Sequence, residues 1–113
     1  MKLQQLIEDC KPQQVVGNID RDVTGIEIDS RLVKEGAVFV AMRGTQVDGH
    51  SFIGKAIELG AGVVVCERLP ELLADGVTYL VYPSTDDVVG TLATHFFGDP
   101  SRRMHLIGVT GTN

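Results

Sequence analysis

Two short apolar runs constrain this chain more than any other feature. One is Ala37-Val38-Phe39-Val40-Ala41 and the other is Val63-Val64-Val65-Cys66. A strand with one face in water alternates apolar with polar residues, and these runs do not. Uninterrupted Val, Phe and Ala describe strands covered on both faces, the usual state of parallel strands packed between helices. The segment between the runs fits this. Ser51 is placed to cap a helix with Phe52, Ile53, Ala56, Ile57 and Leu59 on its apolar face, and Gly60 ends it. Strand, helix, strand at this spacing implies an α/β fold: a small, mostly parallel or mixed sheet flanked by helices.

The remaining segments extend that pattern. Leu3, Leu6 and Ile7 share a face at helical spacing, and Pro12 closes that short helix. Val15-Val16-Gly17 reads as a short strand. Gly25-Ile26-Glu27-Ile28 alternates and reads as a strand ending at Asp29-Ser30-Arg31. Leu69 to Ala74 fits a short helix, and Thr78 to Tyr82 a further strand. Ser84 or Thr85 caps a last helix through Phe97, with Val88, Val89, Leu92, Ala93, Phe96 and Phe97 inward. Asp86 and Asp87 open that helix, where carboxylates favour its dipole. The sheet's strand order is not readable from these segments.

Composition bounds the partners. The chain has 113 residues, 43% of them hydrophobic, enough for one domain that buries roughly two-thirds of its unfolded surface without staples. A net charge of −5 argues against nucleic acid, which demands clustered Lys and Arg. It leaves room for a single anionic ligand held by two or three local donors. Cys10 and Cys66 have no Cys or His at metal spacing, so no metal site is expected. Cys66 reads as a buried strand residue, in keeping with a reducing compartment. No apolar run approaches the ~20 residues a membrane helix needs, and Gln4, Gln5, Glu8 and Asp9 interrupt any leader-like stretch. A cytoplasmic protein without a membrane partner is the expectation.

Gly98-Asp99-Pro100-Ser101 is turn chemistry and marks a boundary. Residues 1–97 form one domain, 98–101 a linker, and 102–113 the start of another unit. His105 to Thr110 reads as one strand running into Gly111-Thr112-Asn113, which resembles the entry to a phosphate loop. The standard pattern G-x-x-x-x-G-K-[ST] is not met: counted from Gly108, the required Gly is Asn113. An apolar strand without its sheet invites pairing, so self-association through 105–110 is expected.

Several segments together carry a family resemblance. Asp29-Ser30-Arg31, Gly36 to Ala41, Gly44, Asp48-Gly49-His50-Ser51-Phe52-Ile53, Ala56 and Gly60-Ala61 resemble the N-terminal domain of the Mur ligases, which build the peptide stem of bacterial peptidoglycan. The ending Gly108-Val109-Thr110-Gly111-Thr112-Asn113 looks like that family's ATP loop, written T-G-T-N-G-K-T, and the variant accounts for Asn113. Phe96-Phe97-Gly98-Asp99-Pro100-Ser101 and the loop's Thr112 are closer to the member that adds the third residue of the stem than to the one that adds the terminal dipeptide.

The resemblance implies an ATP-dependent, monomeric ligase that joins meso-diaminopimelate or L-lysine to UDP-N-acetylmuramoyl-L-alanyl-D-glutamate (UDP-MurNAc-L-Ala-D-Glu). ATP and Mg2+ belong to its central domain, and the uridine diphosphate end to the N-terminal one. On that footing Ile28 and Ser30 match uridine-contact positions, and Thr45, Gln46 and Val47 match the loop that covers the uridine. Gly111, Thr112 and Asn113 are part of an ATP loop that these residues leave incomplete, so the chain alone is expected to bind substrate without turning it over. No catalytic residue and no bound cofactor is expected within it. Ser30 or Asp29 capping a turn is the plainer alternative, and an exposed loop is the plainer alternative for 45–47. Arg31 suits a phosphate or a local pair with Asp29. His50, just before a helix start, suits an anion or a structural hydrogen bond. A stand-alone nucleotide-sugar-binding module and an unrelated phosphate-loop ATPase are the competing classes.

Overall fold

The computed structural model describes residues 1–8, 10–42 and 49–97. The proposed boundary at 98–101, the strand at 105–110, the loop at 111–113 and the 45–47 segment lie outside them. Among the described residues five strands form one sheet: β1 (Gln14–Val16), β2 (Ile26–Glu27), β3 (Val38–Val40), β4 (Val63–Cys66) and β5 (Thr78–Val81). Their order is β1-β5-β4-β3-β2, with β2 to β5 parallel and β1 antiparallel to β5. The sheet is therefore mixed. Three helices accompany it: α1 (Leu3–Leu6), α2 (Ile53–Glu58) and α3 (Thr85–Phe97).

The topology dictates the layers. Three successive parallel steps, β2 to β3 to β4 to β5, move the same way across the sheet. Right-handed crossovers that step one way all fall on one face. The connections do gather on one face: Val33, Ile53, Ala56, Leu69 and Val77 pack with Phe39, Val64, Cys66 and Tyr79. The other face is left to the termini and the β1–β2 connection, which adds Val23. Leu3 and Leu6 of α1 and Val88, Val89 and Leu92 of α3 cover Val38, Val40, Val63, Val65 and Leu80. Adjacent residues of β3, β4 and β5 thus alternate between two cores, and each is buried. This is why the runs look continuous in sequence. A fully buried Val or Leu contributes about 1.5–3 kcal/mol, which lets strands of two to four residues hold.

Four details depart from the sequence-based expectation. Leu69 to Ala74 is irregular rather than helical; Leu72 is 88% exposed, Leu73 is also exposed, and the Ala74 N–H donates to the Tyr79 hydroxyl instead of to a helical carbonyl. With Leu69 alone of its leucines on the core, so short a helix has too little buried face to stabilise it. The first helix stops at Leu6, well before Pro12, and its end is tied to the last helix by the His95 ring, whose Nδ1 lies 2.9 Å from the Leu6 carbonyl oxygen. Ser51 lies inside a 3₁₀ turn, Gly49–Phe52, and Phe52 precedes α2 as its cap without a side-chain bond. Phe52 and Leu59 are exposed, so the buried face of α2 is Ile53 and Ala56.

Gly60 does end α2, for two reasons that act together. Its φ is +114°, and a Cβ there would sit 2.7 Å from the Glu35 Cα. The close approach lets the Gly60 carbonyl accept the Gly36 N–H at 2.8 Å. No helix among the described residues is long and apolar enough to cross a membrane.

Cys66 supplies a test of the core. Burial pushes its thiol up to about 11 from the ordinary 9.0, against smaller opposing effects of Arg68. The unfolded chain releases that proton first, so the associated stability is present below pH 9 and is lost as pH rises toward 11. Denaturant melts from pH 8.5 to 11 are expected to show a steeper loss for the native chain than for Cys66→Ala. At pH 8 a thiol reagent is expected to leave Cys66 unlabelled until the chain unfolds.

Candidate functional site

The carboxyl ends of parallel strands converge on one edge of the sheet, where side chains and free backbone groups meet. Here that edge carries Ile28-Asp29-Ser30 after β2, Ala41-Met42 after β3, Glu67-Arg68 after β4 and Ser84-Thr85 after β5. A cleft of about 560 Å³ opens between the β2 and β3 ends, lined by Ile28, Asp29, Ser30, Arg31, Phe39, Met42, Gly49 and Phe52. Three expected site residues, Ile28, Ser30 and Arg31, are therefore brought together, with Phe39 adding an apolar surface. Ser30 is buried, at 7% exposure, and begins a 3₁₀ turn, Ser30–Leu32.

Asp29 builds that turn. Its Oδ1 accepts the Arg31 backbone N–H at 3.0 Å, and its carboxylate also takes the Arg31 fork, Nε at 3.1 Å and Nη2 at 2.8 Å. Those bonds from the Arg31 side chain and backbone hold the Asp29 carboxyl below its ordinary range. The same hydrogen bond raises the guanidinium's own affinity for its proton. The local pair expected as one alternative for Arg31 is thus formed, and the side chain is 83% exposed at the cleft rim. Nη1 takes no part in the fork, so a second anion can approach from that side. Glu27, one residue before Ile28, has its carboxyl raised by burial and by the Asp29 charge.

The other wall depends on a close backbone contact. The Gly49 N–H donates to the Met42 carbonyl at 2.7 Å. A Cβ on Gly49 would lie 2.6 Å from that oxygen and 2.7 Å from the Met42 nitrogen. The stems on either side of residues 43–48 are therefore pinched together, and only glycine permits it. Thr45, Gln46 and Val47 fall between these stems and outside the described residues.

His50 is not among the residues lining the cleft. Its Nε2 accepts the Glu67 backbone N–H at 2.9 Å, the structural alternative expected for it. Sequence reading did not single out Glu67, whose carboxylate accepts the Thr85 N–H at 3.0 Å at the start of α3. Thr85 in turn donates its hydroxyl to the Ala41 carbonyl at 2.9 Å rather than closing its own helix end. Glu67, Asp86 and Asp87 make that helix start acidic and unsuited to a phosphate. Phe52 and Met42 were also missed as cleft residues; an exposed Phe beside a glycine turn was the available signal. Among the described residues no group of three His, Cys, Asp or Glu is placed to hold a metal ion.

A substitution checks the pinch. Gly49→Ala is expected to destabilise the chain by about 1–3 kcal/mol, the usual cost of forcing atoms into a filled space. The shift is read by denaturant melts, with amide spectra showing the largest change at Met42.

Comparison with known proteins gives a consistent picture. Residues 22–97 match the Mur ligase family, catalytic domain. A UDP-N-acetylmuramoyl-L-alanyl-D-glutamate–2,6-diaminopimelate ligase of Phocaeicola vulgatus is 51% identical over 113 residues, all of this chain and 23% of the relative. The chain thus spans about a quarter of the length of the curated relatives it matches. Among solved structures, MurF from Acinetobacter baumannii superposes with a TM-score of 0.62 at 25% identity, over 83% of this chain and 20% of that one. MurF from Thermotoga maritima in complex with ADP superposes at 0.56 with 33% identity, over 67% and 17%. With the family matched over 76 of its 113 residues and solved members superposing on it, this chain belongs to the Mur ligase family.

Proposed function

We propose that residues 1–97 hold the uridine diphosphate end of UDP-MurNAc-L-Ala-D-Glu in a ligase that adds the third residue of the peptide stem. The observation that carries this reading is the cleft between the β2 and β3 ends, with Ser30 and Ile28 on one wall and the Met42–Gly49 stems on the other. A uridine needs an apolar surface for the ring and hydroxyl or amide groups for its edge and ribose. Phe39 and Ile28 supply the first. Ser30 supplies a hydroxyl, and Thr45, Gln46 and Val47 lie between the two stems in sequence. Arg31 at the rim is the cation nearest to hand for a diphosphate oxygen, approached at Nη1 while Asp29 keeps the fork.

The relative at 51% identity is named for 2,6-diaminopimelate, and we take that as the amino acid the whole protein adds. The alternative, a ligase for the terminal dipeptide, draws on the MurF structures, which are more distant at 25% and 33% identity. Residues 98–101 are then a linker, and 102–113 the start of the ATP-binding part, Gly111-Thr112-Asn113 opening its loop. ATP with Mg2+ supplies the activation of the substrate carboxylate there, and no described residue of this chain takes part in that step. We further propose that the protein works in the cytoplasm, where the nucleotide-linked precursor is available.

Thermal shift tests the reading. UDP-MurNAc-L-Ala-D-Glu at 100 times its Kd is expected to stabilise the chain by about 2.7 kcal/mol. Ser30→Ala is expected to weaken UDP binding about three- to tenfold, the loss of one hydroxyl contact. ATP alone is expected to leave the melting temperature unchanged. A folded sample that ignores both UDP and the full substrate at millimolar concentration refutes the proposal. A Gly-Lys-Thr continuation after Asn113 in the parent reading frame separates the ligase from a stand-alone binding module.

A further inference from the structure

Four hydrogen bonds close a circuit at the edge of the sheet behind the cleft. The Gly49 N–H reaches the Met42 carbonyl at 2.7 Å. One residue on, the His50 ring accepts the Glu67 N–H at 2.9 Å. The Glu67 carboxylate accepts the Thr85 N–H at 3.0 Å, and the Thr85 hydroxyl returns to the Ala41 carbonyl at 2.9 Å. Ala41 and Met42 are neighbours, as are Gly49 and His50, so the path closes on itself. It joins the ends of β3 and β4 to the first turn of α3.

The chemistry of each link is specific. The Glu67 backbone N–H can only donate, so the ring nitrogen facing it is the unprotonated one, and in the neutral ring Nδ1 carries the proton. Glu67 does for α3 what a cap residue does, from 18 residues away. Thr85 is fully buried and Ala41 is fully buried, so a lost partner there is not replaced by bulk water. Neither His50 nor Glu67 lines the cleft, whereas Met42 and Gly49 do.

We infer that His50 and Glu67 are positioning residues for the nucleotide end of the substrate, holding the Met42 and Gly49 stems at the separation and height that the cleft requires. This deepens the proposed function and rests on its reading of the cleft. A ligand that touches neither residue still senses them, because opening the circuit frees one wall of its site.

The probe is UDP, titrated into the 113-residue chain by calorimetry, with melting temperature recorded for every variant. His50→Ala and Glu67→Ala are each expected to weaken UDP binding about five- to tenfold, the scale of one lost hydrogen bond. His50→Gln is expected to bind within about twofold of the native chain, because its amide oxygen can accept the same N–H. The double alanine variant is expected to lose less than the product of the single losses, since a circuit opens only once. Imidazole nitrogen shifts in the native chain give a reading that needs no variant: Nε2 of His50 is expected to be unprotonated. If UDP affinity is unchanged in both alanine variants while their melting temperatures fall, the residues are structural only and the inference fails. It also fails if Nε2 carries the proton, or if His50→Gln binds no better than His50→Ala. If the native chain itself does not bind UDP, the reading of the cleft fails first, and this inference with it.

Discussion

The direction in which the parallel strands step across the sheet governs the rest of this structure. Because β2, β3, β4 and β5 follow one another without reversal, their crossovers share a face and cannot cover the other. The second face must then be closed by segments that are not crossovers. The chain before β1, the β1–β2 connection and the chain after β5 are available; α1 and α3 take that place together with Val23, the two helices joined through the His95 ring and the Leu6 carbonyl. The two-sided burial of β3, β4 and β5, the lack of polar alternation in the runs and the position of α3 all follow from that one constraint.

The same constraint sets where a ligand can go. In a sheet that winds both ways, the crevice lies where the order reverses. No reversal occurs among the parallel strands here, and the opening sits instead between β2 and β3, beside the sheet's edge. There a crossover of one 3₁₀ turn leaves the end of β2 uncovered. Farther along the edge, acids crowd the start of α3. An acidic chain can still receive a diphosphate under this arrangement, provided that contact is local and lies on the Arg31 side.

Strands and helices were legible where local pattern and tertiary burial agree. Val63 to Cys66 is apolar because both cores require it, and Thr85 to Phe97 has the period of its buried face. Leu69 to Ala74 misled because its leucines have helical spacing, but of them Leu69 packs on the core while Leu72 and Leu73 are exposed. Ser51 has the right chemistry for a cap, yet the chain enters α2 through a tighter turn. In the candidate site, Ser30 and the Gly49 turn could be picked out because strand ends and glycines leave local marks. The ties of His50 to Glu67, Thr85 to Ala41 and His95 to Leu6 left none, since they join residues 17, 44 and 89 positions apart. A histidine serving as an acceptor looks the same in sequence as one awaiting an anion.

The pinch between Met42 and Gly49 has a consequence for how such a site can change over time. The stems are fastened by main-chain atoms, which every residue at position 42 provides, and by a glycine that excludes any side chain. The pinch therefore asks for glycine at position 49 and for nothing particular in the side chain at position 42. The fastening is thereby separate from the side chain that position 42 offers to the cleft, and a lineage can revise that side chain while the fastening stays.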